Sequence, residues 1–315
     1  MRVVPRNDTD HSWIFREPIV DVFKQVVIRQ SLTKSGAVPG SGSGSQPVFQ
    51  GDFHMEFCDN TRQLLQAYFR DFTIEKMEHP WQAFTSSWSP AIIARNLGID
   101  ATHVSSDSGD TRYCFVLVRV ARHRESASVA SDQSRDQSQS QLQDAVAQQM
   151  ARVTVGDAAS VGEFVRSFGS HYVASYTTGN SLYQVFVYTP IIYKRIKDRL
   201  KSRGITSLST GELNSYFSPW YAEHTGKVLS ASGNATMEKW ALHNLRVSFY
   251  FFNYPSLLKI HGDTALLKQL NNLLQNEALL QLELKTLAPA FSDAEKRKWF
   301  EEVVENNMIL WDVNM

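Results

Sequence analysis

Ser170 and His171 are adjacent residues whose types could support nucleophilic chemistry. They lie in the stretch EFVRSFGSHYVASYTTGN, residues 163–180. A histidine that takes the proton of a serine makes that serine a nucleophile. In an extended chain, however, neighbouring side chains leave on opposite faces, so we expect the two side chains to point apart. No GxSxG turn surrounds any serine. The stretch is therefore interpreted as a joint in the fold, and we predict no catalytic residue.

Other catalytic and metal-binding patterns are also missing from the sequence. It contains no HExxH, no P-loop and no GxGxxG motif. The neighbouring acids Glu301 and Glu302 point apart on a helix, which indicates a solvated face. The nine histidines are scattered, and the nearest pair, His243 and His261, is separated by 18 positions. We expect neither an enzyme nor a bound metal or cofactor.

The charge balance gives no reason to expect a nucleic-acid partner. Lys plus Arg and Asp plus Glu both number 32, so the formal net charge is zero. One run, YKRIKDRLKSR, is locally basic. It is typical of a solvated helix face, but it is also our first candidate for binding an acidic partner or a polyanionic matrix. Its basic residues are Lys194, Arg195, Lys197, Arg199, Lys201 and Arg203.

Features that bear on localisation point in different directions. No apolar run approaches the roughly 20 residues of a membrane span. The first ten residues, MRVVPRNDTD, lack the apolar core of a signal peptide, so we expect a chain that stays inside the cell or one whose leader has been removed. Two glycosylation sequons, at Asn7 and Asn234, favour secretion.

The residues around Ser170 predict a helix, a stop and a strand. Ser160 and Glu163 have the spacing of a capping box, which predicts a helix start. Gly169 should end that helix in the left-handed conformation. The aromatic and β-branched residues that follow predict a strand, interrupted at Gly179 and Asn180 by a hairpin turn or by a kink in one long strand.

The rest of the chain predicts three more strands with helices between them. The strands are expected in VFQGDFHMEFC, TRYCFVLVRVARHR and LRVSFYFFNY, at residues 48–58, 111–124 and 245–254. Helices are expected at 18–34, 61–101, 142–153, 194–239 and in the leucine-rich tail from 263 onward, and a Gly/Ser-rich linker at 34–47. Such a plan favours an α+β fold in which helices cover an antiparallel sheet.

This plan and one short motif resemble the membrane attack complex/perforin (MACPF) family. The family signature, an aromatic residue followed by Gly-Thr-His and another aromatic residue, is matched with serine for threonine by Phe168, Gly169, Ser170, His171 and Tyr172. Gly179 matches the first of the family's two bend glycines, and Asn180 departs from the second.

The resemblance implies a bent four-stranded antiparallel sheet with two helical insert clusters and a C-terminal helical tail. The inserts would be residues 61–102 and 194–239. The implied organisation is an N-terminal helix and linker in 1–47, a MACPF-like domain in 48–254, and a helical segment packed on it in 255–315.

Within that family the chain is most similar to a secreted insect member that acts in localised activation of a receptor tyrosine kinase. The resemblance implies an extracellular glycoprotein whose partners are the ligand or receptor of such a pathway, the matrix or envelope around the egg, or a membrane surface. If the chain is secreted and the first two long strands pair, Cys58 and Cys114 could form a disulfide; otherwise they are two buried thiols.

Three classes of function remain open from the sequence. In lytic members of the family both inserts unfold into membrane-spanning hairpins, which require alternating apolar and polar residues. The run from Lys194 to Arg203 would place a charge towards lipid, and Pro80, Pro90 and Pro219 would each remove a ladder donor. We therefore favour a non-lytic binding or signalling module, with a pore-forming protein as the first alternative and an enzyme of unrecognised class as the second.

Overall fold

The structure is a computed structural model that describes residues 2–7, 10–16, 20–24, 27–32, 49–104, 112–129, 142–203 and 209–313. One large, mostly antiparallel sheet lies at its centre, and helices cover both faces of the sheet. The α+β fold class expected from the sequence is confirmed.

The strands, in chain order, are β1 (Arg2–Asn7), β2 (Asp10–Arg16), β3 (Val27–Ser31), β4 (Asp52–Cys58), β5 (Phe72–Ile74), β6 (Cys114–Val129), β7 (His171–Tyr188), β8 (His224–Thr225), β9 (Leu229–Ser230), β10 (Arg246–Phe249), β11 (Phe252–Pro255) and β12 (Ala278–Thr286). The α-helices are α1 (Thr61–Tyr68), α2 (Pro80–Thr85), α3 (Pro90–Leu97), α4 (Asp144–Ala151), α5 (Ala158–Phe168), α6 (Pro190–Arg203), α7 (Thr210–Tyr216), α8 (Ala235–Asn244), α9 (Thr264–Leu273) and α10 (Ala294–Val313).

Two long antiparallel strands, β6 and β7, form the middle of the sheet. Along the outer edge of β6 lie β4 and then β3, each antiparallel to it. Along the outer edge of β7 lie β12, which pairs with its first half, and the short strands β9 and β8, which pair with its second half. β5 continues the sheet beyond β12 as a parallel neighbour. The pairs β1–β2 and β10–β11 form separate two-stranded sheets.

Two groups of elements, named here as inserts, interrupt this sheet. The first insert comprises α1, β5, α2 and α3, between β4 and β6. The second insert comprises the elements from α6 to α9, between β7 and β12. Each insert covers one face of the β6–β7 pair with its own apolar cluster, because alternate side chains of these strands point to opposite faces. A third cluster joins α4, α5 and α10 to β12.

Gly179 of β7 lies against β6 where the pairing of the two strands is irregular. The strand is continuous through Gly179 and Asn180, so the interruption in the sequence does not mark a hairpin turn. The register of β6 against β7 shifts between His123 and Glu125, next to this glycine. A Cβ atom on Gly179 would lie 2.0 Å from the main-chain oxygen of Arg122. Close approach of two backbones is what requires glycine here.

Helix α5 and its C-terminal stop are placed as the sequence predicts, but the capping residue differs. Asp157 accepts from the amide of Ala159 and caps the helix, while the Ser160 hydroxyl bonds to the carbonyl oxygen of Asp157. Gly169 ends the helix with φ 85° and ψ 173°, which is not the left-handed helical conformation. Its positive φ with an extended ψ is a region that only glycine occupies readily.

Three secondary-structure predictions were wrong. Residues 27–31 form β3 where an N-terminal helix was expected, and Pro18 and the whole linker at 34–47 lie outside the described residues. The stretch 245–254 folds back on itself as β10 and β11, away from the large sheet. The strand that completes the sheet is β12, in the tail predicted to be helical. The segment 255–315 is therefore not wholly helical, and the second insert extends beyond Lys239 to α9; the division of the chain at residue 254 stays a prediction.

The expected disulfide is not formed, and both cysteines are free and buried. Strands β4 and β6 do pair, but Cys58 faces Phe115 in the register. Cys114 is the neighbour of Phe115 along β6, so its side chain leaves on the opposite face. The two thiols accordingly belong to different apolar clusters, Cys58 under the first insert and Cys114 under the second. Burial raises their pKa values to about 12 for Cys58 and about 11 for Cys114.

Candidate functional site

Ser170 and His171 are in contact at the start of β7, contrary to the expectation that they point apart. The Ser170 Oγ atom lies 2.8 Å from His171 Nδ1. The prediction applied strand alternation to Ser170, but this residue precedes the strand and follows Gly169, so alternation does not hold there. The serine and the histidine are 1% and 2% exposed, so a substrate has no access to this pair.

The histidine connects β7 to the first insert and to β12. Its Nε2 atom lies 3.1 Å from the carbonyl oxygen of Glu75. Because a carbonyl only accepts, Nε2 carries the hydrogen and Nδ1 accepts from the serine hydroxyl. The Glu75 carboxylate in turn accepts from the amide of Thr286 at 2.8 Å. Burial lowers the pKa of His171 to about 4, so the ring is neutral at pH 7. The arrangement is a polar clasp between three chain segments.

The aromatic residues of the motif pack beside this clasp. Phe168 is half-buried with its ring centroid 5.5 Å from that of Phe164. Tyr172 meets Phe23 edge-on at 4.9 Å, which joins the N-terminal segment to the sheet. The structure therefore brings Phe168, Ser170, His171 and Tyr172 together as packing and hydrogen-bonding residues.

Gln184 in the second half of β7 holds the second insert on the sheet. Its side chain is fully buried. The amide nitrogen donates to the carbonyl oxygens of Gly226 and Pro255 at 2.8 and 2.9 Å. The amide oxygen accepts from the backbone N–H of Leu257 at 2.8 Å. One side chain thus satisfies three main-chain groups from two separate segments of the insert.

Asn180, next to Gly179, holds the second insert at its other end. The side chain is fully buried, and its nitrogen donates to Ser232 Oγ at 2.9 Å and to a carboxylate oxygen of Glu277 at 3.2 Å. The same carboxylate oxygen accepts from the Asn234 amide at 3.0 Å. Asn234 also caps α8 through its side-chain oxygen, so a glycan on this nitrogen would compete with the contact to Glu277. Glycosylation there stays a prediction, and the side chain of Asn7 lies outside the described residues.

The basic run on α6 is divided between exposed and paired residues. Lys194, Arg195 and Lys201 are exposed. Lys197 lies 2.7 Å from the Asp59 carboxylate, which also accepts from the Tyr193 hydroxyl at 2.6 Å. Hydrogen bonds from Lys197 and Tyr193 lower the pKa of Asp59.

A second ion pair removes another cation from the predicted patch. Arg199 lies 3.4 Å from the Glu212 carboxylate, and the side chain of Arg203 is not among those described. Three described cations of the run therefore lie free on the surface: Lys194, Arg195 and Lys201. Their role in binding stays a prediction.

The first insert is held by Arg119 of β6 and Tyr183 of β7. Arg119 Nη2 donates to the carbonyl oxygen of Tyr68 at 2.7 Å, and its guanidinium carbon lies 5.4 Å from the centre of the Tyr68 ring. The Tyr183 hydroxyl donates to the carbonyl oxygen of Asn96 at 2.7 Å. These side chains are polar residues within apolar strand sequences, as is Gln184. That pattern is the signal by which the sequence could have revealed all three, because a buried polar group needs a hydrogen-bond partner.

Comparison with solved structures finds similar chains at low identity. GNIP1Aa from Chromobacterium piscinae is 10% identical, over 90% of this chain and 47% of its own, with a TM-score of 0.48. A cell invasion protein with a MAC/perforin domain from Bacteroides thetaiotaomicron is 8% identical, over 89% and 52%, with a TM-score of 0.37. Astrotactin-2, a vertebrate perforin-like membrane protein, is 11% identical, over 96% of both chains, with a TM-score of 0.36. The chain spans about half the length of the first two. No family model and no curated protein matches it.

An exposed aromatic tip was missed by the sequence patterns. Tyr250 and Phe251 form the turn between β10 and β11 and are 80% and 98% exposed. Trp220 is 64% exposed, and its ring centroid lies 6.3 Å from that of Tyr250. The sequence predicts one strand over residues 245–254; instead Tyr250, with φ 51°, turns the chain. We call these three residues the aromatic tip.

Metal-binding and membrane-spanning features are absent from the described part of the chain. No three His, Cys, Asp or Glu side chains there come together as metal ligands would. Within the same residues, no helix combines the length and the apolar character needed to cross a membrane.

Proposed function

We propose that this protein is a non-lytic binding module of MACPF-like fold, whose two inserts stay folded on the sheet while its surface engages partners. The observation that carries the proposal is Gln184, a buried side chain that satisfies three main-chain groups of the second insert. Removing the insert from the sheet would leave these groups and the amide unpaired, and unpaired buried polar groups are costly. A protein that acts through its surface does not need to break these hydrogen bonds.

The more specific assignment, to receptor tyrosine kinase activation, rests on a resemblance in sequence. The sequence around FGSHYVASYTTGN resembles that of the insect protein Torso-like. We extend the proposal to a secreted protein that acts in localised receptor tyrosine kinase activation during embryonic patterning, through binding and without catalysis. Its partners would be the receptor or its ligand, and the matrix or envelope around the egg.

The aromatic tip is the surface that we assign to partner contact. Tyrosine and tryptophan dominate the energetics of protein interfaces because they bury large areas at a low entropic cost. Three exposed aromatic side chains on one hairpin and its neighbour have no role in the core. The exposed cations Lys194, Arg195 and Lys201 are the alternative surface for an acidic partner.

Dye release from liposomes tests the module against the pore-forming alternative. We expect no release from neutral or anionic vesicles over a range of protein concentration, calcium and pH. Release that saturates with dose would contradict the proposal and support insertion of the helical inserts.

Binding of the receptor and ligand ectodomains from the source organism tests the aromatic tip. The triple variant Trp220→Ser, Tyr250→Ser, Phe251→Ser should lose at least tenfold in affinity, measured by surface plasmon resonance. The matched control removes exposed apolar side chains elsewhere, through Ile191→Ser and Ile309→Ser, and should bind normally. An equal loss of affinity in both variants, or no loss in either, would mean that the aromatic tip is not the binding surface.

A further inference from the structure

A cleft of about 510 Å³ opens beside the first insert. Its walls come from the first insert, the β6–β7 pair, the β9–α8 segment and β12. Sites for small molecules occupy roughly 300 to 1,000 Å³ and combine apolar walls with a few placed polar groups. The size of the cleft is therefore suited to a small ligand.

Aromatic rings form one wall of the cleft. Tyr68, Phe69, Phe72 and Trp88 all line it. The ring centroid of Phe69 lies 4.9 Å from that of Tyr68, 5.5 Å from that of Phe72 and 5.8 Å from that of Trp88. The four rings form one continuous surface, against which a flat or flexible apolar body could pack.

Arg119 supplies a charged group with unused hydrogen-bonding capacity. A guanidinium has five N–H donors. Within the described residues, this one makes a single hydrogen bond, to the carbonyl oxygen of Tyr68, and no ion pair. The nearby carboxylates of Glu56 and Asp71 are instead paired with Arg70, at 2.9 and 3.5 Å. The side chain is half-buried, and desolvation lowers the pKa of Arg119.

The other charged groups at the cleft leave the lining net positive. Arg95 is exposed at the rim, and Glu238 is the one carboxylate among the lining residues. An oxygen of Glu238 accepts from the amide of Ser230 at 3.1 Å. Two guanidinium groups against one engaged carboxylate favour an anionic ligand over a cationic one.

We propose that this cleft binds a small amphiphilic carboxylate, with its carboxylate on Arg119 and its apolar body against the Tyr68–Phe69–Trp88 wall. A carboxylate offers two oxygens that fit the parallel N–H donors of a guanidinium. A bound molecule would touch both the first insert and the sheet. It would therefore stabilise the folded state and raise the melting temperature as its concentration rises. The inference does not depend on the proposed function.

The test uses dodecanoate, below its micellar concentration, with dodecanol and dodecyltrimethylammonium as probes of equal chain length. Isothermal titration calorimetry should show saturable binding of dodecanoate, at least tenfold tighter than that of either other probe. Dodecanoate should also raise the melting temperature. Equal binding of all three probes would mean that Arg119 does not select the ligand, and no saturable binding of dodecanoate would overturn the site itself.

Two variants locate the site, and a third serves as the control. Arg119→Gln removes the charge, while Ala231→Phe narrows the cleft from a lining residue other than Tyr68, the residue with which Arg119 makes both its hydrogen bond and its ring contact. Each variant should weaken dodecanoate binding at least tenfold. Arg62→Gln changes an arginine that also stacks on an aromatic ring, that of Trp81 at 5.9 Å, but lies outside the cleft, and it should bind as the unaltered protein does. If Arg119→Gln does not fold, the Ala231→Phe variant tests the proposal by itself. Unchanged affinity for dodecanoate in a folded Ala231→Phe protein would overturn the proposal.

Discussion

The two inserts cover opposite faces of the same pair of strands, but they are fastened in different ways. Gln184 and Asn180 hold the second insert, and both side chains are fully buried. Arg119 and Tyr183 hold the first insert, and both line the open cleft. A hydrogen bond that water cannot reach is expensive to break without replacement, whereas one beside a cleft can exchange with water. Apart from the buried clasp between His171 and Glu75, the first insert relies on hydrogen bonds beside the cleft, so we expect the second insert to be the more firmly held.

Removing the Gln184 amide should produce the largest loss of stability. Gln184→Leu keeps the size of the side chain but leaves two carbonyls and one N–H buried without their partner. At about 1 to 3 kcal/mol for each of the three unsatisfied groups, we expect the free energy of unfolding to fall by about 3 kcal/mol or more. Urea denaturation measures this change.

The control is Gln148→Leu, an exposed glutamine on α4, which should change the stability by less than about 0.5 kcal/mol. A loss below about 1 kcal/mol in Gln184→Leu would mean that the second insert is no better fastened than the first.

Acid should weaken the clasp that joins the first insert to β7. Burial holds the pKa of His171 at about 4, below its ordinary value of 6.5. Below pH 6.5 the unfolded chain therefore binds a proton that the folded protein does not. Stability should fall as the pH drops from 6.5 to 4, by about 3 kcal/mol for this group.

The variant His171→Gln should lose this component of the pH dependence, as measured by urea denaturation at pH 7 and pH 4. His243→Gln, at an exposed position on α8, should keep it. If His171→Gln and the unaltered protein had parallel stability profiles, the histidine would not be held neutral in the folded state.

Gly179, beside Asn180, should tolerate a larger side chain less well than Gly162 in the helix that leads into the clasp. Gly179→Ala would place a Cβ atom 2.0 Å from the main-chain oxygen of Arg122, and we expect a loss of about 2 to 3 kcal/mol. Gly162→Ala in α5 meets nothing within 4 Å and should raise stability by about 0.5 to 1 kcal/mol. Thermal unfolding of both variants measures the two changes in stability. Similar changes at the two sites would mean that the close approach of the backbones is not the reason for glycine at position 179.

Local patterns predicted the elements that alternate or cap clearly. The faces of β4 follow from Phe53, Met55 and Phe57, which pack together on the core, and Gly169 ends α5 as expected. The strand β12 was mistaken for a helix because ALLQLELKT is as compatible with a helix as with a strand, and tertiary pairing with β7 decided between them. Sequence alone does not show which partner a strand will find.

The contacts that hold the site could be predicted only in part. The motif residues from Phe168 to Tyr172 were identified, but the contact between Ser170 and His171 depends on the conformation that Gly169 imposes. The partners of Gln184 lie 42 and 71 positions away, so its role follows from the assembled fold. The disulfide failed because one step along a strand reverses the face of a side chain.

Hydrogen–deuterium exchange of the full chain, alone and with anionic liposomes, tests the central claim most directly. The account predicts that backbone amides of α6 and α8 stay protected with and without vesicles at pH 7, and that amides of α1 and α3 exchange faster than these in both samples. Loss of protection in α6 and α8 on addition of vesicles, with uptake of the protein by the membrane, would contradict the claim that both inserts stay folded on the sheet.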